Sequence, residues 1–153
     1  MDMNGILIAL SASDATMYGK DNFDTQPVPQ KVFSAIWSVE AEVNNGGFSQ
    51  YFFNQSRATA AFVAEALQIV GAPATADICR RAIAVAFPSG LPSDLQTMRI
   101  AASDFPSETE RQLNALDQEF YRYPHDLTAL LFGYVSEHPE DFGELPGPDD
   151  SGA

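Results

Sequence analysis

The chain has 153 residues, of which 45% are hydrophobic, and this composition predicts a folded domain rather than a disordered chain. The net charge is -13, because 21 acidic residues face only eight basic ones, and this charge disfavours binding to nucleic acid or to an anionic membrane. Since no apolar run approaches the roughly 20 residues that span a bilayer, and no basic segment typical of a signal peptide opens the chain, we expect a cytoplasmic protein.

The first third of the chain contains two predicted helices. The first is expected over residues 3–16. The second begins near Pro29, whose fixed backbone suits a first helical turn, and its apolar residues have the spacing of a one-faced helix. Asn45-Gly46-Gly47 is expected to end this helix, because glycine readily adopts the left-handed backbone of a helix terminus.

Three shorter helices are predicted after the glycine pair. Residues 48–52 carry three aromatic side chains at positions i, i+3 and i+4, which indicates a short helix. Another helix is predicted from about Arg57 to Val70, with Gly71 as its stop. A further one is predicted from Pro73 to Phe87, before a segment rich in proline and glycine.

The C-terminal half also contains predicted helices with local start and stop signals. Ser93 and Ser107 each precede a Gln or Glu by three residues, which is the sequence pattern of a capping box. The helix that Ser107 opens is predicted to end near residues 123–124, and the next helix carries the apolar residues of 127–135. Residues 143–153 are expected to form a disordered acidic tail. The sequence therefore predicts an all-α protein, with one compact domain over residues 1–142 and about seven to eight helices.

Residues that could support catalysis or metal binding are sparse. His125 and His138 lack the spacing of zinc ligands, and we expect structural or solvated roles for both. Cys79 lies in an alanine-rich helical pattern and is expected to be a small, half-buried thiol. No nucleotide-binding or nucleophile motif occurs, so we predict neither an enzyme nor a cofactor nor a metal site. An active site assembled from residues distant in the sequence remains an open alternative.

The aromatic residues of segment 48–52 are predicted to lie in the core or in a subunit interface. Stacking on nucleic-acid bases would need nearby cations, but Arg57 is the one basic residue close by, and Glu40 and Glu42 lie just upstream. Gln50 and Asn54 are expected to hydrogen-bond the loop at residues 44–45. The asparagines of that loop could equally cap the neighbouring helix.

Acidic residues accumulate in the second half of the chain. Six carboxylates lie between Asp104 and Asp126, and no Lys or Arg follows Arg122. Such a surface could occupy the groove of a DNA-binding protein, because these proteins direct Lys and Arg at DNA phosphates. Acids that simply keep the protein soluble are the alternative, since the net charge arises mainly from the scarcity of basic residues. The predicted partner-binding residues are Asp104, Glu108, Glu110, Asp117, Glu119, Asp126, Glu137, Glu140, Asp141 and Glu144.

The segment from Glu42 to Asn54, Glu-Val-Asn-Asn-Gly-Gly-Phe-Ser-Gln-Tyr-Phe-Phe-Asn, resembles the core motif of a bacterial family of DNA-mimic proteins that was formerly catalogued as a domain of unknown function. The resemblance covers roughly residues 32–142. It also includes Ile69-Val70-Gly71-Ala72 and the stretch 116–121. It implies an all-helical, cytoplasmic and often dimeric domain. The member that names the family is an acidic dimer that blocks a transcription factor by imitating duplex DNA.

These observations predict a non-enzymatic acidic binding protein that engages the basic surface of a DNA-binding, transcription-regulatory protein. We expect a homodimer that binds neither nucleic acid nor membranes directly. The alternative is a helical protein-interaction or immunity-type module that recognises a specific partner by shape, without DNA mimicry.

Overall fold

Residues 1–145 are described by the computed structural model, and they form eight α-helices and two short 3₁₀ helices. No strand occurs among these residues, so the predicted all-α class is confirmed. Residues 146–153, which belong to the predicted tail, lie outside the described part of the chain. The α-helices are α1 (Met3–Ser11), α2 (Val28–Phe53), α3 (Val63–Val70), α4 (Pro73–Ala86), α5 (Leu95–Ala102), α6 (Ser107–Tyr121), α7 (Leu127–Ser136) and α8 (Pro139–Phe142).

Helix α1 is shorter than predicted, because side-chain hydroxyl groups donate hydrogen bonds to the carbonyl groups at its end. Ser13 Oγ and Thr16 Oγ1 both donate to the carbonyl oxygen of Leu10, and Ser11 Oγ donates to that of Ile8. These side-chain bonds compete with continuation of the helix. The chain then runs as a loop to α2.

The buried side chain of Gln30 on α2 ties down the loop that follows α1. Its Oε1 accepts a hydrogen bond from the backbone N–H of Met17, and its Nε2 donates to the carbonyl oxygen of Ala15. Nε2 also donates to the carbonyl oxygen of Asp141 in α8. One amide therefore holds the N-terminal loop and the last described helix together.

The predicted break at the glycine pair is confirmed, but it is a kink within α2 rather than a loop. Gly46 and Gly47 have non-helical backbone angles, and Gly47 has a φ of 79°, in the region that favours glycine. The helix resumes directly through residues 48–53. The kink frees backbone groups that must find other partners.

Helix α6 supplies those partners. Asp117 Oδ1 accepts the backbone N–H of Phe48 at 2.8 Å, and the hydroxyl of Tyr121 donates to the carbonyl oxygen of Val43 at 2.8 Å. Asp117 and Tyr121 are four residues apart, so both lie on the same face of α6. The kink in α2 is thus satisfied from a neighbouring helix.

The predicted helix over 57–70 begins later than expected. Residues Gln55–Thr59 form a 3₁₀ helix, and α3 starts only at Val63. Local side chains favour this arrangement: Arg57 Nη1 donates to the carbonyl oxygens of Phe53 and Asn54 at the end of α2. The predicted stop is correct, since Gly71 is left-handed with a φ of 92°.

Neither predicted capping box forms. The N-cap of α5 is Asp94 rather than Ser93, and Asp94 Oδ2 accepts from both the backbone N–H and the hydroxyl of Thr97. Ser107 is already the first residue of α6, after Pro106. Glu110, the expected partner of Ser107, instead accepts a hydrogen bond from Ser49 Oγ on α2.

The core lies around α2, which packs against α3, α5, α6 and α7. The aromatic side chains of segment 48–52 are almost fully buried, as predicted, and Phe48 meets Phe120 of α6 edge to face at 5.9 Å. Phe52 meets Phe87 in the same manner at 5.2 Å. The aromatic part of the motif therefore builds the core.

Cys79 and both histidines have structural surroundings. The half-buried position predicted for Cys79 is wrong, because the residue is 1% exposed, and burial raises the pKa of its thiol to about 12. His125 Nε2 accepts the backbone N–H of Ala74 at the start of α4. His138 Nδ1 donates to the carbonyl oxygen of Tyr134. These contacts agree with the structural roles predicted for the two histidines.

Candidate acidic partner-binding surface

Two of the predicted acidic residues on α6 pair with arginines. Glu108 pairs with Arg111 one turn further along the helix. Glu119 receives two hydrogen bonds from the guanidinium of Arg81 on α4, at 3.0 and 2.7 Å, and these bonds lower the pKa of the Glu119 carboxyl. Arg81 also contacts Asp77 at 3.0 Å. The charges of Glu108 and Glu119 are therefore partly neutralised within the protein.

Asp117 was predicted to lie on the acidic surface, and this is wrong, because the structure buries it. Its residue exposure is 7%, and its carboxylate is directed at the α2 kink. Burial raises the pKa of Asp117; the hydrogen bond from Phe48 opposes this shift, and the charge of Glu110 adds to it. Asp117 has an internal role in the fold.

The remaining predicted residues are distributed over several elements. Asp104 is exposed just after α5, and half-buried Glu110 is bound to Ser49. Asp126 is exposed and caps the start of α7 by accepting the backbone N–H of Ala129 at 3.1 Å. Capping leaves its negative charge in place, beside the positive end of the helix dipole.

A group of acids lies where α7 meets α8. We call Glu137, Glu140, Asp141 and Glu144 the acidic corner. Glu137 is the C-cap residue of α7, and Glu140 and Asp141 occupy the first turn of α8. Asp141 is half-buried, whereas the other three are exposed. The structure thus brings four of the ten predicted residues into one short segment.

Asp126 lies at the opposite end of α7 from the acidic corner. The ten residues of α7 correspond to about 15 Å at the rise of an α-helix. Asp126 and the acidic corner therefore lie at the two ends of α7 rather than along a single helix face.

Glu40 on α2 is an acidic residue that was not predicted for this surface. Its Oε2 accepts a hydrogen bond from the hydroxyl of Tyr123 at 2.9 Å, and that hydroxyl in turn accepts from Asn44 Nδ2 at 2.7 Å. Burial raises the pKa of Glu40, and the nearby charge of Asp126 raises it further, against the Tyr123 hydrogen bond. Glu40 and Asp126 form a second negative region, at the start of α7.

The amides of the sequence motif do not contact residues 44–45, contrary to the prediction. Gln50 Nε2 and Asn54 Nδ2 donate to the same oxygen of Glu42, Oε2, at 2.7 and 2.9 Å. Because the kink redirects α2 between residues 42 and 50, straight-helix spacing did not reveal this cluster. The repeated polar positions 42, 50 and 54 were the available signal.

A cleft of about 590 Å³ adjoins this cluster. The loop before α2, one side of α2 and the 3₁₀ helix Gln55–Thr59 form its walls. Its polar lining includes Tyr18, Gln26, Ser34, Ser38, Glu42 and Arg57. The volume lies within the range typical of ligand pockets.

No helix within residues 1–145 is long and apolar enough to cross a membrane. Within the same range, no three His, Cys, Asp or Glu side chains come together in a way that could hold a metal ion.

The family model described as DMP19-like protein matches residues 24–138. The matched segment spans the kinked α2, the Glu42 cluster, the cleft wall at residues 55–59 and all of α3 to α7. No curated protein and no solved structure matches the chain.

Proposed function

This chain belongs to the DMP19-like protein family, a family of DNA-mimic proteins, and from that membership we propose that it is a non-enzymatic acidic binding protein. Its partner is the basic surface of a DNA-binding protein, with a transcription factor as the candidate. The protein itself binds neither nucleic acid nor membranes, and it works in the cytoplasm as a homodimer.

The observation that carries this proposal is the charge of the C-terminal helices. No Lys or Arg follows Arg122 in the sequence, while the acidic corner exposes Glu137, Glu140 and Glu144. Duplex DNA carries one negative charge per roughly 1.7 Å of helix axis, and its binding proteins direct basic side chains at that array. Exposed carboxylates without basic neighbours can attract the same side chains and steer their approach.

The surface differs from the sequence prediction in its membership. The proposed surface omits Asp117 and includes Glu40, which adjoins Asp126. Glu108 and Glu119 contribute less because arginines neutralise them. The acidic corner, Glu40 and Asp126 are therefore the main proposed contacts, with Asp104 and Glu110 more peripheral. Asp126 with Glu40 and the acidic corner lie at opposite ends of α7.

The alternative function, a module that recognises its partner by shape, is favoured by one observation. Asp117, Glu119 and Asp126 each make a specific contact that stabilises the fold. Acidic residues can thus serve the architecture of this domain without serving a partner. A shape-based interface would depend weakly on salt, whereas a charge-based interface weakens steeply as the salt concentration rises.

The experiment is affinity capture from the native cytoplasm at low salt, followed by elution with duplex DNA. The proposal expects captured DNA-binding proteins that the duplex displaces. In the test variant, Glu137 and Glu140 are replaced by Gln. In the matched control, Asp24→Asn and Glu65→Gln remove the same charge from exposed positions elsewhere. The proposal fails if DNA does not displace the partner, or if both variants capture it equally well.

The homodimer is tested separately by light scattering of the purified protein. A mass of twice the 16.6 kDa chain is expected at micromolar concentration. A monomeric mass over the range in which the partner binds would contradict this part of the proposal.

A further inference from the structure

The cleft beside the Glu42 cluster has the properties of a cation-binding site. Glu42 lies in its wall, and two neutral amides hold the carboxylate through Oε2. Both amides use the same oxygen, so neither engages Oε1. Hydrogen bonds from neutral groups orient a carboxylate without removing its charge. The carboxylate is thus fixed in place before any ligand arrives, which lowers the entropic cost of binding.

The basic residues that line the cleft are committed to other partners. Arg57 donates from Nε to the carbonyl oxygen of Leu95 at 2.8 Å and from Nη1 to the end of α2. Lys20 donates to the carbonyl oxygen of Ser13 and lies 3.4 Å from Asp14. Neither cation pairs with Glu42, so no ion pair neutralises its carboxylate. Lys20 pairs with Asp14, whereas Arg57 bonds only to carbonyl oxygens and keeps its charge in the cleft wall.

The other polar groups of the cleft suit a ligand that donates hydrogen bonds. Ser34 and Ser38 are almost buried, yet they line the cleft, and Ser34 Oγ already donates its proton to Gln26 Oε1. The oxygen of Ser34 is therefore left with acceptor capacity. Guanidinium and ammonium groups carry donors alone, so they match a carboxylate surrounded by hydroxyl oxygens. The exposed carboxylate of Asp21 also lines the cleft and offsets the charge of Arg57.

We propose that this cleft receives an arginine or lysine side chain of the protein partner, with Glu42 as the counter-ion and the serine hydroxyls as additional acceptors. The inference rests on the proposed function, which supplies a partner with a basic surface. The volume of about 590 Å³ accommodates a long basic side chain together with part of its backbone. Glu42, the first residue of the sequence motif, and the two serines of the helix before it belong to this site, so the motif contributes to a binding site as well as to the core.

The first experiment uses a capped tripeptide, Gly-Arg-Gly, and its citrulline analogue, which has nearly the same shape and no charge. Binding to the full chain is followed by NMR through backbone amide signals. The arginine peptide is expected to shift the signals of Ser38, Glu42 and their neighbours in the cleft, and the citrulline peptide is not. Equal binding of the two peptides would overturn the proposal, and so would binding of free arginine without binding of the capped peptide.

The second experiment uses variants of the cleft. Glu42→Gln is expected to weaken binding of the arginine peptide at least tenfold, whereas Glu65→Gln, at an exposed position of α3, leaves it unchanged. Leu95→Arg adds a guanidinium at the exposed rim and is expected to weaken binding, while Ile100→Arg adds the same charge to the same helix away from the cleft. If Glu42→Gln fails to fold, this second pair decides the question. Undiminished binding by Leu95→Arg, or by folded Glu42→Gln, overturns the proposal.

The two proposals can fail independently. Loss of partner capture in the acidic-corner variant, with full capture by folded Glu42→Gln, would leave the proposed function standing and remove the cleft from it. Arginine-peptide binding that depends on Glu42, together with a captured partner that DNA does not displace, would retain the cleft and reject DNA mimicry.

Discussion

The carboxylate of Asp117 lies directly against the α-carbon of Gly47. A Cβ added to Gly47 would lie 2.9 Å from Asp117 Cγ and closer still to Oδ2. The same carboxylate accepts the backbone N–H of Phe48 at 2.8 Å. The glycine and the aspartate therefore depend on each other: the missing side chain makes room for the acid that satisfies the kinked backbone.

Gly47→Ala is expected to destabilise the protein by more than about 2 kcal/mol, because it combines a strained positive φ with displacement of a buried hydrogen-bonding group. Chemical denaturation of both proteins measures the difference. Gly133→Ala is the control, because its Cβ would meet nothing within 4 Å in the middle of α7. That variant is expected to be neutral or more stable, by up to about 1 kcal/mol. Equal effects at the two glycines would contradict the role assigned to Asp117.

Asp117→Asn is expected to change how stability depends on pH. The folded-state pKa of Asp117 is raised above its ordinary value of 3.8. Its contribution to stability is therefore complete below the unfolded-state pKa and is lost as the pH rises through the folded-state pKa. The variant should gain stability relative to the native protein across that interval. Urea unfolding at a series of pH values tests this, and a difference that shrinks with rising pH would contradict it.

Tyr51→Phe removes a buried hydroxyl that lies 2.6 Å from Thr59 Oγ1. We expect a loss of about 1 kcal/mol, the usual value for one internal hydrogen bond. The control is Tyr134→Phe, whose hydroxyl has no hydrogen-bond partner among residues 1–145. In thermal unfolding, the melting temperature of Tyr51→Phe should lie well below that of the control. Similar melting temperatures would show that the bond adds little to stability.

The N-cap of α5 is tested by comparing two adjacent residues. Asp94→Ala is expected to lower the free energy of unfolding, because the Thr97 N–H loses the carboxylate that caps it. Ser93→Ala is expected to cost almost nothing, although the sequence pattern assigned the cap to Ser93. The free energies of unfolding decide between these positions, and a greater loss at Ser93 would restore the capping-box interpretation.

Cys79 is expected to react slowly with thiol reagents in the folded protein. Its thiol is buried, and a pKa raised to about 12 leaves little thiolate at neutral pH. The rate at which the thiol reacts with a chromogenic disulfide reagent, followed by absorbance, should rise sharply in denaturant. Rapid labelling of the folded protein would contradict the structural role of this residue.

The helical architecture was predictable because apolar periodicity, proline starts and glycine stops are local signals. The start of α3 and the two caps were wrong, since Arg57 and Asp94 compete locally for backbone groups in ways that a pattern of residue types does not rank. Burial of Asp117 was detectable in principle. It stands four residues after Leu113 and three before Phe120, on the apolar face of α6.

The candidate site was less predictable than the fold. Clustering of acids in the sequence located the acidic corner, whose members are close in the chain. It missed Glu40, which reaches the start of α7 from α2, and the Glu42 cluster, which exists only because of the kink. Contacts between distant helices, and changes of helix direction, carry no signal in the charge of single residues.

The amide of Gln30 joins the two ends of the described chain, since it binds the backbone of Met17, Ala15 and Asp141 at once. Because one buried amide serves both segments, we expect opening of α8 to weaken the hold of Gln30 on the N-terminal loop and so to couple their local unfolding. Hydrogen exchange at the Met17 amide therefore reports on the integrity of the acidic corner. A partner that clamps α8 would slow exchange more than 100 residues away in the chain.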